Sequence, residues 1–486
     1  MSNKGATSLY TKASEKKLER NAGVAAIQHF FQTQYRTSQP HSDPRFSPQV
    51  TLSVDEALRI IINQSPEPIA VDSSVTTSII GSVIANDVHA SRMIPSSHVS
   101  AIDGYAIVVE QDESTRCVFP KTLALSSKID EYSGVLRSDT AVRITTGAPL
   151  PRNANAVVSM EDTILDERGG ESVGIITNDI TIGKSVREPG SHIPLHSRLF
   201  ACGDTLSPVS GAISLLALAG VSTVKIFKKP RVGILRRSEN LVDLNMQMCE
   251  ASHLSVLSGL ASWGVEIVDL GTVHGTSDEW LYHALHANVD IILITNGQSI
   301  ELDLKSTIES TLGGAIHFNR VAIKPSSHTM FATIPIPATE NVSRPIFSLP
   351  SDPASALVAL NIFVLPSLNK MSGLGESAHA VAAEPWMTTQ LGLPRVAVVL
   401  THHFPLDPRQ TEYHLAVVTG SRSDARLYAT SIGSGALESR RSRDLKRNDA
   451  NALIILRVGR GVGIKGEIVE ALLMGPIHGS DTRLIC

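Results

Sequence analysis

The stretch VDIILITNGQSIELD (289–303) decides how this chain is read. Five of its first seven residues are apolar, and the run then stops at a loop holding one glycine, an asparagine, a serine and two acids. A short apolar run bounded by turn residues reads as a buried strand. In an open α/β sheet, ligands sit in the crevice beyond the carboxyl ends of the strands. The loop therefore stands where a site would stand, and its composition asks whether that site still works.

The pattern extends on both sides. RVGIL (231–235), VEIVDLG (265–271) and DIILIT (290–295) read as strands, with ASHLSVLSGLASWG (251–264) and SDEWLYHALHAN (277–288) as helices between them. This alternation predicts a mostly parallel sheet covered by helices over 229–372. After about 385 the helical period vanishes. RVAVVL, YHLAVV, ALIILRV and GEIVEALLM predict a small C-terminal β domain over 385–486. Short β-like runs such as YAIVV, AVRITTG, NAVVSM and VGIITND predict a β-rich domain over 76–185. Ser53, with Glu56 three residues later, forms a capping box before VDEALRIIINQ (54–64). A second helix is expected with Ser207 as N-cap, Pro208 at its first position, AISLLALA as its body and Gly220 at its end. Residues 1–48 combine a charged, partly helical stretch with a Pro/Ser-rich linker, and are expected to be disordered or partly helical.

Composition narrows the function classes. The chain has 486 residues, enough for several domains, and 42% hydrophobic residues, enough for sizeable cores. A formal net charge of −4 argues against a nucleic-acid or membrane-surface partner. Cys117, Cys202, Cys249 and Cys486 are scattered without a CxxC pair, which reads as reduced thiols. There is no signal-peptide core and no apolar run judged long enough to span a bilayer. A soluble, cytoplasmic protein without direct membrane insertion is expected.

SAIDGYA (100–106), ITTGAPLP (144–151), EDT (161–163) and SLPSDPAS (348–355) occur in an order that resembles the MoeA family and the E domain of gephyrin. IHFNRVAIKP (316–325), PLDPR (405–409) and EYH (412–414) resemble the gephyrin type more closely. The likeness runs from about 51 to 484. It implies an α/β and β multi-subdomain fold. An elongated subdomain would come from 49–75 and 186–228, a β-rich subdomain from 76–185, a three-layer α/β subdomain from 229–372 and a β-barrel from 385–486. It also implies a homodimer. The family reaction takes adenylylated molybdopterin (molybdopterin-AMP) and molybdate, inserts the metal with magnesium involved, and releases AMP. The adenylyltransferase domain fused to gephyrin is not expected, since residues 1–48 are too short for it.

Carried over by the resemblance, Asp103, Thr146 and Asp303 stand at the catalytic positions, and Lys324, Ser299 and Ser355 at the cofactor-binding ones. Much of the set has changed. STGDEL becomes RRSENL (236–241), with Ser238 for a glycine and Asn240 for the glutamate. Other acid positions are His192 and Gly275. Asn296 replaces a glycine, KPGKP becomes KPSSH with Ser326 and Ser327, and LPGNP becomes LPSDP with Ser351 and Asp352. Serine or asparagine for glycine adds a side chain where backbone must approach an anion. Lost carboxylates weaken magnesium binding. Asp352 is expected to place a negative charge at a phosphate-facing turn.

Plainer readings exist for each residue. Asp103 before Gly104 can be an Asx turn. Thr145 and Thr146 can end a strand, and Lys324 can be a solvated strand end. His192, His402 and His403 read as structural, and ESRRSRDLKR (438–447) as a solvated loop. The resemblance implies a second function as well, a receptor-peptide groove. Asp55 and Tyr413 match groove residues, Leu58 stands for a phenylalanine and Arg457 for a proline. The favoured expectation is a gephyrin-like homodimeric scaffold or sequestering protein that binds a protein or peptide, with molybdenum insertion reduced or lost. The alternative is an active molybdopterin molybdotransferase. No metal ligand set and no cofactor is assigned with certainty.

Overall fold

The computed structural model describes residues 51–110, 121–126, 135–165, 172–177, 180–238, 243–274, 286–295, 301–336, 342–375, 391–421, 424–432, 450–459 and 461–479. The expectations for 1–48, for most of the helix at 277–288 and for the basic run at 438–447 lie outside these residues. The chain divides into two compact units, one from Ala70–Phe227 and a larger one from Met1–Ile69 with Lys228–Cys486.

Helix α1 (Val54–Gln64) begins at the expected capping box. Glu56 accepts from the Ser53 amide at 2.8 Å, and the Glu56 amide donates to Ser53 Oγ at 3.2 Å. Its apolar face buries Ala57, Ile61 and Ile62.

In the unit from Ala70–Phe227, β1 (Ala70–Ser74) pairs antiparallel with the unit's last strand. The β-rich part builds one six-stranded sheet. Its strands are β2 (Gly104–Ile107), β3 (Lys121–Ser126), β4 (Thr140–Ile144), β5 (Ala156–Ser159), β6 (Thr163–Leu165) and β7 (Ser172–Ile175). Their order is β5-β2-β4-β3-β7-β6. Gly104 is required here, because a Cβ on it would lie 1.9 Å from the Val158 carbonyl oxygen of β5. Helix α2 (Ala212–Leu218) starts later than expected: its N-cap is Gly211, not Ser207. Ser207 serves a preceding turn, where its Oγ accepts from the Val209 amide and its carbonyl accepts from Ser210 Oγ. The chain then enters β8 (Thr223–Phe227), in register with β1 from Ala70↔Phe227 to Ser74↔Thr223.

The larger unit holds the predicted α/β sheet. Its elements are β9 (Arg231–Ser238), α3 (Asp243–Ser262), β10 (Glu266–His274), β11 (Ile291–Thr295), α4 (Glu301–Ser306), β12 (Ala315–Phe318), β13 (Ile323–Lys324), β14 (Met330–Pro335) and β15 (Ser343–Leu349). The sheet order is β10-β9-β11-β15-β14-β12. The first four strands are parallel, while β14 and β12 join antiparallel. Helix α5 (Pro353–Met371) follows, with a π-helical segment at Leu360–Val364. It corrects the expectation that no run suffices to span a bilayer. Its 19 residues are long and apolar enough, yet 72% of its apolar window is buried inside the protein. A core helix passes the same length and composition test. Gly259 of α3 lets α5 approach, since a Cβ there would meet Leu360 at 2.5 Å.

The C-terminal strands close a five-stranded barrel. They are β16 (Arg395–Leu400), β17 (Thr411–Gly420), β18 (Leu427–Ser431), β19 (Ala452–Leu456) and β20 (Ile468–Leu473), ordered β17-β18-β16-β20-β19 and closed by β17–β19 pairing. β13 adds to β17 in parallel, Lys324 opposite Glu412.

Residues 49–75 and 186–228 were expected to build one subdomain. The β1–β8 pair joins the ends of that division, whereas α1 lies in the larger unit with its apolar face against α5. Ser65 bonds Ser367 at 2.7 Å, and Lys370 donates to the Ile62 and Ser65 carbonyls at the end of α1. A cation at a helix C-terminus satisfies orphan carbonyls and opposes the helix dipole.

A test of the sheet geometry is Gly104→Ala. The atom in the way is backbone, so the sheet must open. A loss of at least about 2 kcal/mol is expected, read as a lower urea midpoint for the unit carrying β2. An unchanged midpoint would contradict the β2–β5 approach.

Candidate functional site

Two sets of residues merit description, one at the polar loops and one at a groove. In the unit from Ala70–Phe227, Asp103 lies in the bend between Ser100 and β2, and Thr146 in the turn after β4. Antiparallel pairing of Gly104 with Ile144 brings these turns side by side. The Asp103 carboxylate accepts from the Thr146 amide at 2.7 Å and from its hydroxyl at 3.0 Å. Those bonds, the backbone one foremost, hold its pKa below the ordinary carboxylate value. The contact is a cross-strand tether over 43 positions, where an Asx turn was the plainer expectation. Both residues are exposed. His192 is exposed too and shares a hydrogen bond with Arg187 at 3.1 Å.

In the larger unit, Lys324 ends β13 with its side chain partly exposed, and it is ion-paired. Its ammonium pairs with Glu412 and lies 3.8 Å from Asp407. The Glu412 side chain is 4% exposed, and His414 Nε2 donates to its second oxygen at 2.8 Å. Burial alone would raise the Glu412 pKa, but hydrogen bonds from His414 and Lys324 outweigh it and hold the group ionised. Sequence reasoning noted PLDPR and EYH only as marks of resemblance. They supply the partners of Lys324.

The neighbouring loop is closed on itself. Ser326, at the position of a family glycine, is buried and has φ +86°. Its Oγ donates to the Ser355 carbonyl at 2.5 Å. Asp352 was expected to face a ligand. It is instead the N-cap of α5, accepting from the Ser355 amide at 2.8 Å and the Ser355 hydroxyl at 2.7 Å. An acid at this position also suits the positive end of the helix dipole. Asp303 falls in α4, but its side chain is outside the described residues, as are Ser299, Asn240, Gly275 and Asn296. Among the described residues, no three His, Cys, Asp or Glu side chains gather to hold a metal ion. The described donors do not fit magnesium.

The groove lies wholly in the larger unit. Asp55 and Leu58 of α1, Tyr413 of β17, Pro366 of α5, Leu393 and Arg395 line it together. Its volume is about 50 Å³, far below the ~300–1,000 Å³ of a small-molecule pocket. It has room for one or two side chains of a partner. Tyr413 is 7% exposed, and burial pushes its pKa up to about 12. Arg457 pairs with Glu470 at 2.6 Å, and Arg395 lies 3.7 Å from the same residue.

Residues 52–220 match the model of the MoeA N-terminal region (domain I and II). Dictyostelium discoideum gephyrin is 27% identical over 469 residues, covering 87% of this chain and 62% of gephyrin. The Bacillus subtilis molybdopterin molybdenumtransferase is 27% identical, covering 88% of this chain and 96% of the enzyme. The chain is thus similar to gephyrin and to molybdopterin molybdenumtransferases along most of its length. The fold agrees: the molybdopterin biosynthesis MoeA protein of Pyrococcus horikosii superposes with a TM-score of 0.62 at 21% identity, covering 88% of this chain and 100% of that one.

Two histidines, His253 buried and His317 half-buried, give the protein a pH signature. His253 bonds Thr295 at 3.1 Å and His317 bonds Thr333 at 2.9 Å. Burial lowers both pKa values from the ordinary 6.5. The unfolded chain therefore binds more protons once pH falls below about 6.5, so stability is complete above that point and declines as pH drops through the depressed values. Urea midpoints are expected to fall from pH 7 to pH 5, with a shallower decline in His253→Gln. A flat profile in the unsubstituted protein would refute this.

Proposed function

We propose that this chain acts as a gephyrin-like dimeric scaffold or sequestering protein that binds a peptide in the α1–β17 groove, with molybdenum insertion reduced or lost. The observation that carries the reading is the internal satisfaction of the anion-side groups. Lys324 is committed to Glu412, and the Ser326, Asp352 and Ser355 polar groups bond one another. An incoming phosphate or molybdate would have to break those contacts first. Loss of two or more charge-stabilising contacts, each typically worth ~10²–10³ in rate, leaves little turnover. The groove has an apolar floor with charged rims and a buried tyrosine, features suited to a side-chain anchor.

The enzymatic reading keeps one supporting observation, the intact Asp103–Thr146 pair. One assay separates the two. Purified protein given molybdopterin-AMP, molybdate and magnesium is expected to release AMP at no more than the rate of its Asp103→Ala variant. Turnover comparable to a family enzyme, abolished in that variant, would overturn the scaffold reading. For the groove, extended peptides with a single aromatic anchor are to be selected on the unsubstituted protein. Leu58→Glu should weaken the selected peptides by roughly 10-fold or more while leaving thermal stability intact. Equal binding by Leu58→Glu would remove the groove from the proposal.

A further inference from the structure

The sheet in the unit from Ala70–Phe227 ends at β6, which pairs with β7 and, among the described residues, with no other strand. One face of β7 is core: Val173 and Ile175 are fully buried. The opposite face is open. Ile164 lies directly across from Gly174. The Ile176 amide donates to the Asp162 carbonyl at 3.0 Å, which carries the ladder one residue past β7. Side chains alternate along a strand, so Ile164 and Ile176 stand on the same outer face as Gly174. Ile164 is 59% exposed and Ile176 52%. Neither backbone nor packing asks for this glycine. Its φ is not in the left-handed region. A Cβ on it would meet the Ile164 carbonyl oxygen at 3.5 Å, an ordinary contact, whereas Gly104 has no such room. A glycine inside a strand weakens it, and often marks the close approach of a ligand or another backbone.

Charge along this part of the chain is one-sided. Glu161 is exposed and Asp162 half-buried at the start of β6. Residues 160–171 hold five acids (Glu161, Asp162, Asp166, Glu167 and Glu171) against Arg168, a formal −4 that equals the net charge of the whole chain. A two-fold contact with a second copy would set these like charges against each other. Nucleic acid and anionic lipid would be repelled by the same field, which favours a basic partner. We infer that the outer face of β6 and β7 docks an extended basic segment of a partner protein. An aliphatic side chain of that segment rests over Gly174 against Ile164 and Ile176, and its lysines or arginines meet the acids. This face and the α1–β17 groove belong to different units, so the two proposals fail or succeed separately.

The test selects random peptides on the full chain carrying Leu58→Glu, which silences the groove. Enriched peptides are expected to hold a surplus of Lys and Arg with at least one Val, Ile or Leu, and to bind less tightly as salt is added. Ile164→Thr combined with Ile176→Thr, in the same background, keeps the charge and the strand preference. It should weaken those peptides at least ~10-fold with little change in melting temperature, since both isoleucines are exposed. Gly174→Val fills the opening and should weaken them as much. If it does not fold, Glu161→Lys takes its place, and its reversed charge should also lower affinity. Equal affinity in the threonine variant would leave charge attraction alone and overturn the docking face. Failure to enrich any basic peptide would overturn it too. A concentration-dependent dimer in sedimentation that Gly174→Val abolishes would give the face to a second copy and overturn the choice of partner.

Discussion

Burial of α5 is the constraint on which the larger unit depends. Leu360, Phe363 and Val364 are fully buried. Around them one core gathers Ala57 and Ile61 of α1, Val256 and Leu260 of α3, the sheet residues Phe331 and Phe347, and Tyr413 and Leu453 of the barrel. Hydrophobic burial is non-directional, so on its own it would not fix these elements in one arrangement. Polar contacts at the ends of α5 supply direction. Asp352 caps its start, and Lys370 near its end holds the last turn of α1. The same helix therefore presents the serine loop at one end and a wall of the groove at the other, through Asn361, Ile362 and Pro366.

How much of this was legible in the sequence follows from the range of each interaction. The capping box of α1 spans three residues and was readable. So were the buried parallel strands, which must be apolar on both faces and so show as continuous runs. The barrel strands were readable one by one, but their closure through β17–β19 pairing leaves no local mark. Ser207 carried a proper cap signal that a turn used instead, with the helix waiting for Gly211 at φ +66°. The length of α5 was hidden by Pro353 and Pro366, each tolerated at the first turn of a helical segment. Placement of α1 on α5 was beyond reach, because Ser65 and Ser367 are 302 positions apart.

The candidate site was legible in its losses and not in its repairs. Substitution of glycines and acids could be read position by position from the resemblance. The partners of Lys324 could not, since Glu412 lies 88 residues away and is brought in by β13–β17 pairing. The groove residues Asp55 and Tyr413 lie farther apart still in sequence. They meet because α1 and β17 both pack on α5.

Ser326 shows why those repairs matter for function. A serine at φ +86° occupies a region that favours glycine, at a cost on the order of 1–3 kcal/mol. Its hydroxyl bonds the Ser355 carbonyl, and its own carbonyl accepts from both the amide and the hydroxyl of Thr329. At about 0.5–1.5 kcal/mol each, these bonds are of the size needed to offset the strain. The backbone thus holds a glycine-like shape with a serine side chain filling the space beside it. The polar groups of this loop satisfy one another internally. An anion entering this loop would have to displace those bonds, which is the physical basis for proposing that the loop is structural.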